Sequence, residues 1–152
     1  MNAPTSPFPQ TLDGWLAHCE RLHPLNIDMG LERVRKVADR LQLKFDCPVI
    51  TVAGTNGKGS ICAYLAPILG AAGYRPGMFT RPHIERFEER IRVDGVMISP
   101  DELRDVTLAV REHAEAMAEE TGDHPTEFEL MTAVALEHFA RCGCDIVVLE
   151  VG

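Results

Sequence analysis

The chain has 152 residues, 45% of them hydrophobic, and a formal net charge of −8. That length accommodates one domain with a real core, and the apolar content excludes a disordered chain. The acidic balance excludes non-specific binding to nucleic acid or to an anionic membrane, so any phosphate must be captured locally by a few oriented groups.

Residues 1–10 carry Pro4, Pro7 and Pro9 with no basic cluster and no apolar run. They suit neither a signal peptide nor an anchor, and a flexible tail is expected. Residues 11–22 place Leu12, Trp15, Leu16, Cys19 and Leu22 at helical spacing, which predicts a first amphipathic helix ending at His23 and Pro24. A second helix is expected over residues 30–41, with Leu31, Val34, Val37, Ala38 and Leu41 inward and Arg33, Arg35, Lys36 and Arg40 mostly solvated. Residues 48–53 are short, apolar and β-branched, the pattern of a buried parallel strand.

Residues 61–72 read as a helix closed by Gly73 and kinked at Pro67. A strand at residues 77–80 then completes a βαβ unit, whose crossover is expected to be right-handed. Asp94 and Gly95 between two apolar runs predict a small hairpin leaving the main sheet. Ser99, Pro100 and Glu102 supply an N-cap, an N1 proline and a capping-box glutamate for a long helix to about residue 120. Thr126 to Glu129 open another helix, running to about residue 141, and residues 145–150 form a further buried strand.

No stretch approaches the ~18 apolar residues of a membrane helix. The five cysteines are irregularly spaced, as in a reducing compartment, so the protein is expected to be cytoplasmic. Cys142 and Cys144 lack a second pair to complete a metal site and read as small apolar residues flanking Gly143.

The chemistry concentrates in Gly54, Thr55, Asn56, Gly57, Lys58, Gly59 and Ser60, between a strand and a helix. Glycines let backbone N–H groups converge on an anion, and the helix presents its positive end. Lys58 reaches the terminal phosphates of a nucleotide. The run departs from the common G-x-x-x-x-G-K-[ST] pattern, because residue 52 is Val and Gly59 separates Lys58 from Ser60. Glu150 closes an otherwise apolar strand at the edge where open α/β sheets bind ligands, and a carboxylate there suits Mg²⁺ held against phosphates. Asp145, at the opposite end of that strand, reads as structural.

The phosphate loop, Pro82 and His83 with Glu89 to Arg92, Thr126 with Phe128 and Glu129, and Leu149 to Gly152 follow one another in a definite order. Together with Ile27 to Val34, they make the chain resemble the folylpolyglutamate synthase/dihydrofolate synthase family, a Mur-ligase-like branch, over about residues 12–152. The resemblance implies an α/β P-loop domain with a mostly parallel sheet, helices on both faces and a small hairpin. It also implies an ATP-dependent amide ligase, with Mg²⁺, that adds L-glutamate to dihydropteroate or to the glutamate tail of a reduced folate through an acyl phosphate. Residues 54–60 would contact ATP, with Lys58 catalytic, and Glu150 would ligate Mg²⁺. His23, Pro24, His83, Thr126, Phe128 and Glu129 would line the substrate side.

Two departures stand out. Arg81 occupies the position of the family's usual serine ligand to Mg²⁺, and the family's separate C-terminal domain is not present in residues 11–152, so an incomplete enzyme is expected that is inactive alone and a monomer when full length. A Mur-type cell-wall peptide ligase and a non-catalytic nucleotide-binding module are the alternatives. Thr126 and Glu129 also fit a purely local capping box.

Overall fold

The computed structural model describes residues 11–22, 32–43 and 46–151. The expected tail, the loop with His23 and Pro24, residues 27–31 and Gly152 lie outside them. Five helices, α1 (Leu12–Leu22), α2 (Glu32–Arg40), α3 (Lys58–Ala71), α4 (Pro100–Thr121) and α5 (Glu127–Arg141), accompany five strands. The strands are β1 (Val49–Ala53), β2 (Pro76–Phe79), β3 (Ile91–Val93), β4 (Val96–Met97) and β5 (Ile146–Val151), in the sheet order β1-β5-β2-β3-β4.

The last strand in sequence takes a central place. β5 runs parallel to β1 on one side and to β2 on the other, so β1 and β2, which flank α3 in sequence, do not touch. Side chains alternate across the sheet. Val147, Leu149 and Phe79 join a core with α1, α2, α4 and α5, whereas Val148, Met78 and Val52 pack with Cys62 of α3 on the other face. Gly77 in β2 has no alternative residue, since a Cβ there would meet the Phe139 ring at 2.6 Å.

Several expectations are corrected. β1 is parallel but sits at an edge of the sheet with Val52 alone fully buried, because β5 covers only one of its sides. The hairpin continues the main sheet instead of leaving it. β3 pairs antiparallel with β2, and Asp94 and Gly95 make its turn with φ of 52° and 77°. α3 begins at Lys58, three residues earlier than expected, and runs unbroken through Pro67. The carbonyl that Pro67 frees belongs to Ala63, on an exposed stretch where water can satisfy it.

Capping held as expected. Ser99 and Glu102 exchange side-chain-to-backbone bonds of 3.2 and 3.0 Å at the start of α4, and Thr126 and Glu129 do the same at α5 with 3.2 and 2.7 Å. Asp145 accepts from the Arg75 N–H at 2.6 Å, a structural role at the amino edge of the sheet. Cys47, Cys62, Cys142 and Cys144 are free thiols, and burial pushes Cys144 up to about 12. Among the described residues no helix is long and apolar enough to cross a membrane.

Arg33 is not solvated. It is 6% exposed, one turn before the buried Val37 on the same stripe of α2, and it grips Glu129 of α5 through Nε at 2.9 Å and Nη2 at 3.0 Å. A bidentate pair between two buried groups withstands desolvation only while both partners remain. Arg33→Ala is therefore expected to lower the unfolding free energy by about 3–5 kcal/mol. Urea denaturation checks this, and a loss below about 1 kcal/mol would mean that the pair behaves as a surface contact.

Candidate functional site

Three parallel strands bring their carboxyl ends together. β1 runs into residues 54–57 and then α3, β5 ends beyond Glu150, and β2 runs into Thr80 and Arg81. Ala53 lies beside Val151, Val52 beside Glu150, and Phe79 beside Leu149, so Glu150 stands between the glycine-rich loop and residues 80–81.

The loop is built to leave N–H groups free. Gly54 and Gly57 take φ of 151° and 79°, where a side chain would be strained. No atom lies within 4 Å of where a Cβ would stand on Gly54, Gly57 or Gly59, so the space beside these glycines is open. The first helical bond of α3 runs from the Ile61 N–H to the Gly57 carbonyl at 3.0 Å. The N–H groups of Lys58, Gly59 and Ser60 consequently have no helical partner, and no acidic residue sits in that first turn to compete for them. Lys58 folds back and donates from Nζ to the Gly54 carbonyl at 2.6 Å, closing the loop on itself beside those donors. Thr55, Asn56 and Ser60 are exposed on it. Together these groups form a cradle for an anion at a helix N-terminus.

Glu150 is 7% exposed and projects to the α3 face, as its register with Val148 requires. One of its oxygens accepts the Arg81 N–H at 3.2 Å. It lines an open cleft of about 500 Å³ together with Gly59, Ala63, Thr80, Arg81, Glu89 and Arg92. Among the described residues no group of three or more His, Cys, Asp or Glu side chains could hold a metal by itself. A single buried carboxylate beside a phosphate cradle still suits Mg²⁺, which takes one or two carboxylates and completes its shell with phosphate oxygens and water.

Arg81 does not point at that carboxylate. Its guanidinium carbon lies 4.5 Å from the centroid of the Phe128 ring, which stacks in turn on Phe79 at 6.3 Å. His83 is exposed and accepts from Arg90 Nε at 3.0 Å through Nδ1, and Arg90 also reaches Glu127 at 3.3 Å. Thr126, Phe128 and Glu129 lie together at the start of α5, with Glu129 committed to Arg33 and to the Thr126 N–H.

Sequence reading placed Glu89 in a motif but gave it no role. Its carboxylate accepts the N–H groups of Ile84, Glu85 and Arg86 at 2.8, 2.9 and 2.9 Å and so shapes the segment that carries His83. A glutamate three residues beyond Arg86, at the third position of a short 3₁₀ turn at Phe87–Arg90, is the capping signal that would have found this role.

No family model matches the chain. It is 45% identical over 143 residues to the dihydrofolate synthase/folylpolyglutamate synthase of Escherichia coli (strain K12), covering 93% of this chain and 32% of that protein. The fold of E. coli FolC in complex with DHPP and ADP matches with a TM-score of 0.80 at 40% identity, over 99% of this chain and 34% of that one. A bifunctional folylpolyglutamate synthase/dihydrofolate synthase with Mn, AMPPNP and L-glutamate bound matches with a TM-score of 0.81 at 38% identity, over 97% of this chain and 35% of that one. The chain thus spans about a third of the length of these relatives.

The three N–H groups on Glu89 hold its carboxyl down at about 2. A depressed carboxylate stabilises the fold above its unfolded value of about 4.3, and that contribution is lost as pH falls through the folded value. Carboxyl ¹³C NMR of Glu89 should show a midpoint near about 2, and Glu89→Gln should speed amide exchange at residues 84–86. An ordinary midpoint near about 4.3 would contradict the assignment.

Proposed function

From the premise that this chain belongs to the folylpolyglutamate synthase/dihydrofolate synthase family and matches the N-terminal portion of its members, we propose that it is the ATP-binding part of a ligase that adds L-glutamate to dihydropteroate or to the glutamate tail of a reduced folate. The observation that carries this reading is the juxtaposition of the open glycine-rich cradle with the buried Glu150 carboxylate at one edge of the sheet.

The cradle binds the β- and γ-phosphates through the N–H groups of residues 58–60, and Lys58 leaves the Gly54 carbonyl to neutralise charge on the γ-phosphoryl group. Glu150 would hold Mg²⁺, whose role when bound is to neutralise phosphate charge and orient the γ-phosphoryl group. The acceptor carboxylate attacks the γ-phosphorus and ADP leaves, giving an acyl phosphate. The amine of glutamate then attacks the carbonyl carbon, inorganic phosphate departs, and the amine surrenders a proton. Little covalent chemistry falls to the protein, so positioning and charge neutralisation supply the rate.

The substrate side is the start of α5. The half-buried Thr126 caps the helix there while Phe128 presents an aromatic face, and His83 lies on the segment held by Glu89. Glu129 contributes by fixing that helix start through Arg33 and not by direct contact, since both its oxygens are already engaged. His23 and Pro24 belong to the same side by resemblance. α3 exposes Ile61, Tyr64 and Ile68 along one stripe, and we read this as the face against which the remaining length of such a ligase packs.

Lys58→Ala in the full-length protein should lower amide formation by about 10²–10³-fold, the usual loss for one preorganised charge-stabilising donor. ADP release with glutamate and either dihydropteroate or tetrahydrofolate measures this. Thermal unfolding should be nearly unchanged, because the side chain makes only one exposed hydrogen bond at the start of α3. Near-normal turnover by a folded variant would remove the cradle from the mechanism.

A further inference from the structure

Arg81 joins the two halves of the site. Its N–H donates to Glu150 on the nucleotide side, and its guanidinium lies over Phe128 on the other face of the sheet. The alternation of residues explains the split, because Phe79 faces the four-helix side while Met78 faces α3, and Arg81 follows Phe79 by two.

Among the described residues, charge pairing around the start of α5 leaves one cation over. Arg33 is paired with Glu129, and Arg90 with Glu127. Among the described residues no carboxylate or carbonyl engages the Arg81 guanidinium, although Arg81 is only partly exposed and lines the cleft with Glu150. Stacking on an aromatic face holds a guanidinium by its carbon and leaves its N–H edge free, and that edge matches a planar carboxylate in two parallel hydrogen bonds.

We propose that Arg81 is the binding residue for the acceptor carboxylate, holding it between the Phe128 platform and the phosphate cradle so that an oxygen faces the γ-phosphoryl group. This rests on reading the chain as an ATP-dependent ligase and goes beyond it, since it names which residue takes the reacting group of the substrate. The alternative, a guanidinium that neutralises phosphate, requires the side chain to leave Phe128 and turn toward the α3 face. The geometry favours the carboxylate, because the side chain is already seated on Phe128 with its N–H edge free.

The test uses the full-length protein and two variants, Arg81→Ala and Arg81→Lys. Calorimetric titration with dihydropteroate, in the presence of Mg²⁺ and a non-hydrolysable ATP analogue, should show affinity about 10–100-fold weaker for Arg81→Ala, the worth of hydrogen bonds to a charged partner. Arg81→Lys should recover only part of the loss, since ammonium lacks the fork. The carboxamide of dihydropteroate, which lacks the charge, should bind wild type and Arg81→Ala alike, and the KM for ATP should stay within about 2-fold, a change of under half of 1 kcal/mol. Equal weakening of carboxylate and carboxamide would show that Arg81 merely supports Phe128, and unchanged carboxylate affinity or a rise confined to the KM for ATP would overturn the proposal. Failure of the broader reading is a separate result, namely no glutamate ligation and no dihydropteroate binding by wild type.

Discussion

Everything at the site depends on β5 lying between β1 and β2. Parallel pairing on both sides puts all three carboxyl ends at one edge, and the register sets Glu150 abreast of Val52 and one step beyond Phe79. Were β1 and β2 neighbours, the glycine-rich loop would still open α3, but the carboxylate that faces it would have no strand to carry it there. The buried run Ile146, Val147 and Val148 anchors that strand in both cores, so the position of Glu150 is inherited from packing and not from its own contacts.

The same economy governs charge. Two cations near the start of α5 are paired, Arg33 with Glu129 and Arg90 with Glu127, and each pair ties a different element to that helix end. Pairing keeps buried charges tolerable and holds the aromatic face of Phe128 in place. On the nucleotide side the logic is reversed. N–H groups of residues 58–60 are left without helical partners and Lys58 is held by a single carbonyl, an arrangement that waits for an anion. Preorganised donors facing open space on one side, and the paired ions Arg33/Glu129 and Arg90/Glu127 that leave the Arg81 guanidinium on Phe128 on the other, separate what binds from what supports.

Much of this was legible in the residues because it is local. The glycines around Lys58, the Asp94 and Gly95 turn, and the Ser99/Glu102 and Thr126/Glu129 capping boxes each declare themselves within a few positions. What stayed hidden is non-local. Strand order cannot be read from β-branched runs, which is why the hairpin was expected outside the sheet and β1 inside it. Arg33 meets Glu129 across 96 positions, so an arginine on a helix with several others looked solvated, although its spacing of four from Val37 placed it on the buried stripe. Arg81 was legible as a departure from a pattern, whereas its seat on Phe128 needed the register of β2 and β5 to be known.

The central claim is that residues 54–60, with Glu150 opposite, hold the phosphates of a nucleotide. Backbone amide NMR of isotopically labelled full-length protein, titrated with Mg²⁺ and ADP, tests it without relying on turnover. The N–H signals of Gly57, Lys58, Gly59 and Ser60 should move most and downfield, as donors that gain a phosphate acceptor must, with the Glu150 carboxyl carbon shifting only when Mg²⁺ is present. Saturable nucleotide binding that leaves those four amides in place would contradict it.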